Sequence, residues 1–186
     1  MNHPLLKLPY ENALICSQGC MSEKGRSHYK KYANTRCALD FTLNGESPFH
    51  VLASADGIAK VWNCCNHKSG NCKCGLGFGN QMRIYHDGYL TFYSHLSKIF
   101  VKDGRFVKQG EIIGIAGRSG LAGDVHLHWT FGKESKESKS VEEKFIPFWS
   151  IEAEKIEIEE HKRKKIVSNT YFKTGMKYLS TNKATR

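Results

Sequence analysis

The stretch MRIYHDGYLTFYSHL, residues 82–96, decides the fold class of this chain. Apolar or aromatic residues alternate with polar ones on both sides of Asp87-Gly88, which is the two-residue period of β-strands. An Asp-Gly pair between two such runs predicts a hairpin, because a tight primed turn needs positive φ at its central positions. The stretch therefore predicts two antiparallel strands joined at residues 87–88.

The same pattern extends over residues 35–132. FHVLASADGIAKVW (49–62) alternates around Asp56-Gly57 and predicts a second hairpin, and GRFVKQGEIIGIAGRSG (104–120) predicts short strands separated by glycines. No helical periodicity interrupts this region. The sequence therefore predicts an all-β fold, a mostly antiparallel β-sheet or sandwich.

The composition predicts a main domain over 1–150 and a charged C-terminal extension over 151–186. GKESKESKSVEEK (132–144) is typical of a loop, and the apolar FIPFWSI (145–151) is expected to pack back onto the domain. EAEKIEIEEHKRKK (152–165) is compatible with a helix or an edge strand. We expect the final residues to form a solvated, partly flexible tail, so that the extension is short and peripheral.

The formal net charge of +10 and the pI near 9.3 predict attraction to a polyanion, such as nucleic acid, an anionic membrane or an acidic cell-wall polymer. Residues 162–186 contain eight basic and no acidic residues, so much of the excess charge belongs to the tail. The β-region lacks aromatic residues interleaved with Lys and Arg, which argues against nucleic acid. An anionic membrane and an acidic cell-wall polymer remain as the alternative partners of the tail.

Two further sequence features concern the compartment. No apolar run approaches the roughly 20 residues of a membrane helix, so no transmembrane segment is expected. The N-terminal MNHPLLKLPYENALI (1–15) lacks the pattern of a signal peptide. This leaves two alternatives, a protein retained inside the cell or a mature form with an added start methionine.

Seven cysteines are many for 186 residues, and four of them lie in CCNHKSGNCKC (64–74), within a loop predicted over 63–79. Such a cluster indicates disulfides or a thiolate metal site. The C-x2-C spacing of zinc fingers is missing, which favours a disulfide-tied loop, with a second metal site as the alternative. An odd total leaves at least one cysteine outside any intrachain disulfide.

The chemistry-bearing stretch is DVHLHWTF, residues 124–131. In a β-strand, His126 and His128 point to the same face, about 6–7 Å apart. One can therefore bind a metal ion while the other faces the group that the metal binds. The alternative is a pair of solvent-facing histidines. Asp40, within CALDFTL (37–43), is either a ligand or a solvent-facing strand aspartate, because burying a lone carboxylate is costly. His86 borders the predicted turn and is expected to have a turn role or to face solvent.

Five separated motifs follow one another along the chain: SHYKKYANTRCALDF (27–41), ADGIAKV (55–61), GNQMRIYHDGYLTFYSHL (79–96), VKQGEIIGIAGRSG (107–120) and HLHWTF (126–131). Their order resembles that of the LytM/lysostaphin-type zinc endopeptidases, which cleave peptide bonds in bacterial peptidoglycan. The chain resembles this family from about Leu8 to Phe148. The resemblance implies an open active-site groove, a peptidoglycan substrate, and a location in the cell envelope or outside the cell.

Carried over residue by residue, the resemblance implies that His28, Asp40 and His128 bind one Zn²⁺ per chain. It also implies that His95 and His126 are catalytic without binding the metal, and leaves open which of the two activates water. His28 and Asp40 are twelve residues apart, which resembles a longer variant of the family's usual His-x-x-x-Asp spacing. The alternative function is a non-catalytic module of this family that binds the wall or regulates a partner hydrolase.

Overall fold

The computed structural model of the 186-residue chain describes residues 5–20, 28, 38–64, 70–134, 145–147, 156–167 and 171–185. Apart from one short 3₁₀ turn at Cys74–Gly77, the regular elements of these residues are all β-strands. They are β1 (Leu6–Lys7), β2 (Ala13–Gln18), β3 (Leu39–Gly45), β4 (His50–Leu52), β5 (Gly57–Trp62), β6 (Gln81–His86), β7 (Tyr89–Ser94), β8 (Leu96–Ile99), β9 (Phe106–Val107), β10 (Ile112–Ala116), β11 (Val125–Glu134), β12 (Phe145–Pro147), β13 (Ile156–Glu160), β14 (Arg163–Val167) and β15 (Lys177–Ser180).

Most strands belong to one large sheet, in the order β1-β13-β15-β2-β3-β11-β7-β6-β5-β9, with β12 beside β11 and β14 beside β13. A second sheet contains β4, β10 and β8, in that order. Between these strands, every pairing is antiparallel except that of β1 with β13. The predicted all-β, mostly antiparallel fold is confirmed.

The two Asp-Gly predictions have different outcomes. β6 and β7 form the predicted hairpin, with His86 opposite Tyr89 and a φ of +75° at Gly88. The hairpin predicted at Asp56-Gly57 is wrong, because β4 pairs with β10 while β5 pairs with β6 and β9. Gly57 instead allows close approach to β6, since a Cβ there would lie 2.4 Å from the Tyr85 carbonyl oxygen.

Strand β11 is buried on both faces over residues 125–132, and this determines where the site lies. Leu127 and Trp129 point into the hydrophobic core, where the Trp129 ring lies 6.4 Å from that of Phe41. His126 and His128 point to the opposite face and are nevertheless buried. Because side chains alternate along a strand, one element packs the core and lines a polar site.

The charged C-terminal segment is part of the large sheet. β13 and β14 form a hairpin, and β15 lies between β13 and β2. The prediction of a solvated tail is wrong for residues 177–185, since Ser180 and Asn182 are buried. The Asn182 side-chain amide donates to the carbonyl oxygens of Leu8 and Ala53, at 3.0 and 3.1 Å. Lys and Arg side chains give this segment its charge, but its apolar positions, such as Ile156 and Ile158, still alternate into the core.

The cysteine-rich insert runs between β5 and β6, as predicted. Cys64 and Cys72 carry free thiols, contrary to the predicted disulfide, and Cys65 lies outside the described residues. Of the loop predicted over 132–144, residues 135–144 also lie outside them, whereas residues 132–134 form the end of strand β11. The Cys64 Sγ contacts the Gly79 carbonyl oxygen at 3.5 Å, and the Cys72 Sγ accepts from the Cys74 amide at 3.4 Å. Within the described part of the chain, no helix has the length and apolar character needed to span a bilayer.

Candidate metal and catalytic site

The register of three neighbouring strands brings the candidate residues together. His128 on β11 lies directly opposite Asp40 on β3 and, on its other side, opposite Ser94 on β7. Opposite residues in an antiparallel sheet share a face, so the Asp40 and His128 side chains meet although 88 positions separate them. His95 follows β7 immediately and reaches the same region.

Three candidate ligand atoms form a small triangle. The His128 Nδ1 lies 3.0 Å from the Asp40 Oδ1, and the His28 Nε2 lies 3.2 Å from the His128 Nδ1 and 3.3 Å from the Asp40 Oδ1. A tetrahedral zinc ion with bonds of about 2.0–2.1 Å separates neighbouring ligand atoms by about 3.3–3.4 Å. The described residues contain this one His/Cys/Asp/Glu group with such convergence, and its size and chemistry fit Zn²⁺.

His28 is held from behind by a backbone carbonyl. Its ring is completely buried, and its Nδ1 lies 3.3 Å from the Gly19 carbonyl oxygen. An Nδ1–H that donates to this oxygen leaves the Nε2 lone pair directed at Asp40 and His128, the arrangement usual for metal-binding histidines. The Gly19 amide in turn donates to the Thr174 Oγ1 at 3.1 Å. The C-terminal segment therefore supports the site. The sequence did not predict this contribution.

Asp40 is a buried carboxylate surrounded by imidazoles. Burial raises its pKa, but His28, His126 and His128 outweigh this effect and hold the pKa well below its usual value. Gln18 adds an amide contact, with its Nε2 3.3 Å from the Asp40 Oδ2. The carboxylate therefore stays ionised, which is the form that binds a cation.

His95 and His126 lie side by side next to this group, with ring centroids 4.8 Å apart. The His95 Nδ1 contacts the Ser119 carbonyl oxygen at 2.8 Å, and the His126 Nδ1 contacts the Asp124 carboxylate at 3.0 Å. Each histidine therefore keeps its Nε2 for the site. The His126 Nε2 lies 3.9 Å from the Asp40 Oδ2.

The two histidines differ in their electrostatic surroundings. Burial lowers the pKa of His95 to about 3, helped by the neighbouring His126 and His128. His126 is also buried, but the carboxylates of Asp40 and Asp124 overcome desolvation and raise its pKa to about 8. Desolvation likewise lowers the pKa of His128. The site therefore places an imidazole that favours its neutral form beside one that favours its protonated form.

The backbone at His95 is unusual. Its φ of +61° lies in the left-handed region, which non-glycine residues rarely adopt and which is frequent at functional sites. The His95 amide donates to the Phe78 carbonyl oxygen at 2.9 Å, at the end of the cysteine-rich insert. The Phe78 ring itself lies 5.4 Å from the His128 ring. The insert therefore borders the site and helps to hold His95.

His86 lies apart from this group. Its Nδ1 contacts the Asp56 carbonyl oxygen at 2.5 Å, and its Nε2 contacts the Thr91 Oγ1 at 3.0 Å. It ties the β6–β7 turn to the preceding loop, as expected from its position.

Residues 35–140 match the model of peptidase family M23. The chain belongs to this family. The LytM/lysostaphin-type resemblance is thereby confirmed, because lysostaphin is among the similar proteins.

Two relatives illustrate the extent of the M23 similarity. Lysostaphin of Staphylococcus simulans is 36% identical over 92 residues, which cover 49% of this chain and 17% of that protein. The peptidoglycan DD-endopeptidase ShyA of Vibrio cholerae is 46% identical over 91 residues, which cover 48% of this chain and 18% of that protein. The matched region therefore spans less than a fifth of either relative.

Among solved structures, the M23 metalloprotease pseudoalterin from the deep sea superposes with a TM-score of 0.52. The match covers 89% of this chain and 96% of that one, at 17% sequence identity. This similarity supports the shared fold.

The sequence prediction missed several residues at the candidate site. Asp124 contacts His126, Gln18 contacts Asp40, and Phe78 packs against His128. Of these, only Asp124 carried a local signal, since it stands two positions before His126 at the start of a strand. Gln18 and Phe78 reach the site through tertiary contacts alone.

Proposed function

We propose that this chain is a zinc-dependent endopeptidase that hydrolyses peptide bonds in the stem or bridge peptides of bacterial peptidoglycan. The observation that carries the proposal is the triangle of His28, Asp40 and His128 ligand atoms, 3.0–3.3 Å apart, with two further histidines beside it. Two imidazoles and one carboxylate are a frequent donor set of catalytic zinc sites, which keep one position open.

His28, Asp40 and His128 would hold the ion, leaving His95 and His126 for proton transfer and hydrogen bonding. When bound, Zn²⁺ supplies Lewis acidity for the scissile carbonyl and lowers the pKa of water toward about 7. Peptide hydrolysis also needs a group that accepts the proton of the attacking water and one that delivers a proton to the leaving amine. The contacts of the two Nδ1 atoms support these roles for His95 and His126, because they leave the Nε2 atom of each ring for the substrate or water.

The substrate assignment rests on the relatives. Lysostaphin is an M23 relative of this chain, and ShyA is a peptidoglycan DD-endopeptidase. A peptidoglycan substrate places this protein in the cell envelope or outside the cell. The contact of the basic C-terminal residues with an anionic wall polymer stays a prediction, for which the exposed Lys162–Lys165 stretch offers the positive charge.

The test combines metal analysis with digestion of defined peptidoglycans, whose products are identified by mass spectrometry. We expect about one zinc per purified chain and chelator-sensitive cleavage that zinc restores. His126→Ala should keep the metal and lose hydrolysis. His50→Ala, a substitution of an exposed histidine outside the site, is the matched control and should keep both. Wild-type protein without zinc, or a fully active His126→Ala variant, would contradict the proposal.

A further inference from the structure

Asp124 occupies a distinct position immediately before strand β11. Its Oδ1 lies 3.0 Å from the His126 Nδ1, and its own backbone carbonyl oxygen lies 3.1 Å from the same atom. The Asp124 side chain is half exposed, whereas that of His126 is one-tenth exposed. The carboxylate therefore lies at the outer side of a buried ring and faces the nitrogen that points away from the candidate zinc ligands.

The backbone around this pair is anchored independently of the carboxylate. The Thr42 hydroxyl donates to the Val125 carbonyl oxygen at 2.7 Å, and the His126 amide donates to the Gly117 carbonyl oxygen at 3.3 Å. The start of β11 therefore does not depend on the Asp124 side chain. This separates a role toward the His126 ring from a role in folding.

His95 provides an internal comparison. Its Nδ1 faces only a neutral acceptor, the Ser119 carbonyl oxygen, whereas the His126 Nδ1 faces a carboxylate. A charge-assisted hydrogen bond is shorter and roughly twice as strong as a neutral one. Which ring nitrogen of a histidine carries the proton is determined by the partner of the other nitrogen. Of the two candidate catalytic histidines, His126 therefore has the more strongly determined tautomer.

We propose that Asp124 is a positioning residue for His126. It keeps a proton on the His126 Nδ1 and fixes the ring so that the Nε2 faces the reaction centre, near the Asp40 carboxylate. The inference rests on the proposed hydrolytic function, in which the His126 Nε2 exchanges protons or hydrogen bonds with the substrate. Loss of the carboxylate would let the Nδ1–H and Nε2–H tautomers mix and the ring reorient.

The expected effect is on the rate constant. Groups that orient a metal-binding histidine from behind typically contribute about 10–100-fold, and we expect the same range for His126, which is oriented in the same way. Asp124→Ala should therefore lower kcat by about 10–100-fold and leave KM and the zinc content unchanged. The backbone carbonyl of residue 124 remains as a weaker acceptor. Asp124→Asn keeps a neutral side-chain acceptor, so its kcat should fall between those of wild type and Asp124→Ala.

The experiment joins kinetics on one defined peptidoglycan peptide with ¹⁵N NMR of the histidine rings in the zinc-loaded protein. The spectra are recorded at a pH where the His126 ring is neutral, so that a single ring nitrogen carries the proton. We expect the wild-type His126 ring to be protonated at Nδ1, and the ring in Asp124→Ala to give averaged or changed nitrogen shifts. The Asp124→Asn variant provides the same readouts if the Ala variant does not fold. Asp103→Asn, at an exposed aspartate paired with Lys60, is the matched control and should match wild type in every measurement.

Wild-type kcat in Asp124→Ala would overturn the proposal, as would a loss explained entirely by lost zinc. An unchanged His126 ring spectrum in both variants would also overturn it. A wild-type protein that cleaves no peptidoglycan would instead contradict the proposed function. The nitrogen shifts would still decide whether Asp124 determines the His126 tautomer.

Discussion

Replacing Asp40 with Asn exchanges one carboxylate oxygen for an amide group in the middle of the proposed zinc site. Asp40 provides the single negative charge of the triangle, and its Oδ1 lies 3.0–3.3 Å from both histidine ligand atoms. The asparagine has nearly the same shape and still offers one carbonyl oxygen. The substitution therefore removes charge with little change in volume.

The expected magnitude follows from the number of ligands. Structural zinc sites with four ligands bind with about 10–16 kcal/mol, so one ligand accounts for about 2.5–4 kcal/mol. We expect Asp40→Asn to weaken zinc binding by about 10²–10³-fold, because each 1.4 kcal/mol is about a factor of ten. The remaining carbonyl oxygen favours the lower end of this range.

Zinc affinity is measurable by competition with a chromophoric chelator of known affinity, starting from metal-free protein. Asp103→Asn makes the same chemical change at an exposed position and should keep wild-type affinity. Circular dichroism of the metal-free proteins distinguishes weakened binding from unfolding. Wild-type zinc affinity in a folded Asp40→Asn variant would refute Asp40 as a ligand.

Three further predictions concern two glycines, a buried amide and an exposed carboxylate. Gly79 and Gly88 both have positive φ, +66° and +75°, but a Cβ at Gly79 would lie 2.3 Å from backbone while one at Gly88 meets nothing within 4 Å. Gly88→Ala should therefore lose about 1–2 kcal/mol of stability and stay active. Gly79→Ala should lose more stability and most of the activity. Urea unfolding measures the stability, and peptidoglycan digestion measures the activity. Asn182→Ala removes two hydrogen bonds, to the carbonyl oxygens of Leu8 and Ala53, which keep the Ser180 hydroxyl and the Gly110 amide as donors. At about 0.5–1.5 kcal/mol for each bond, the free energy of unfolding should fall by about 1–3 kcal/mol; a wild-type urea midpoint would mean that the C-terminal segment is not part of the core. Hydrogen bonds from Lys60 and the Val61 amide lower the pKa of Asp103, so its stabilising contribution is present above the unfolded value near 3.8 and is lost as pH falls through the lower folded value. A carboxyl NMR titration should give a pKa below 3.8, and Lys60→Met should raise it.

Local patterns predicted a large part of the fold. Alternation on either side of Asp87-Gly88 predicted the β6–β7 hairpin, because strand periodicity and a tight turn are properties of adjacent residues. The same pattern at Asp56-Gly57 failed, since alternation indicates a strand but not its partner. At position 57, the glycine instead allows the backbone to lie close to β6.

For the candidate site, too, the sequence predicted one part and only the tertiary structure determined the other. The sequence by itself determined that His126 and His128 share a strand face, because a period of two is built into β-structure. The resemblance added His28 and His95, and favoured the ligand role of Asp40 over solvent exposure. Only the tertiary structure brings the ligand atoms of His28, Asp40 and His128 within 3.0–3.3 Å, since strand register joins residues that are far apart in the chain.

The C-terminal segment provides the clearest contrast. Its charge predicted a solvated tail. This prediction failed because charge indicates that a side chain is hydrated, but does not indicate whether the backbone pairs with a sheet. In the structure, β13 and β15 extend the main sheet, and Thr174 supports Gly19, which in turn contacts His28. Composition determined that the exposed surface of this segment is positively charged. Long-range hydrogen bonding determined that the segment belongs to the core and lies behind the proposed zinc site.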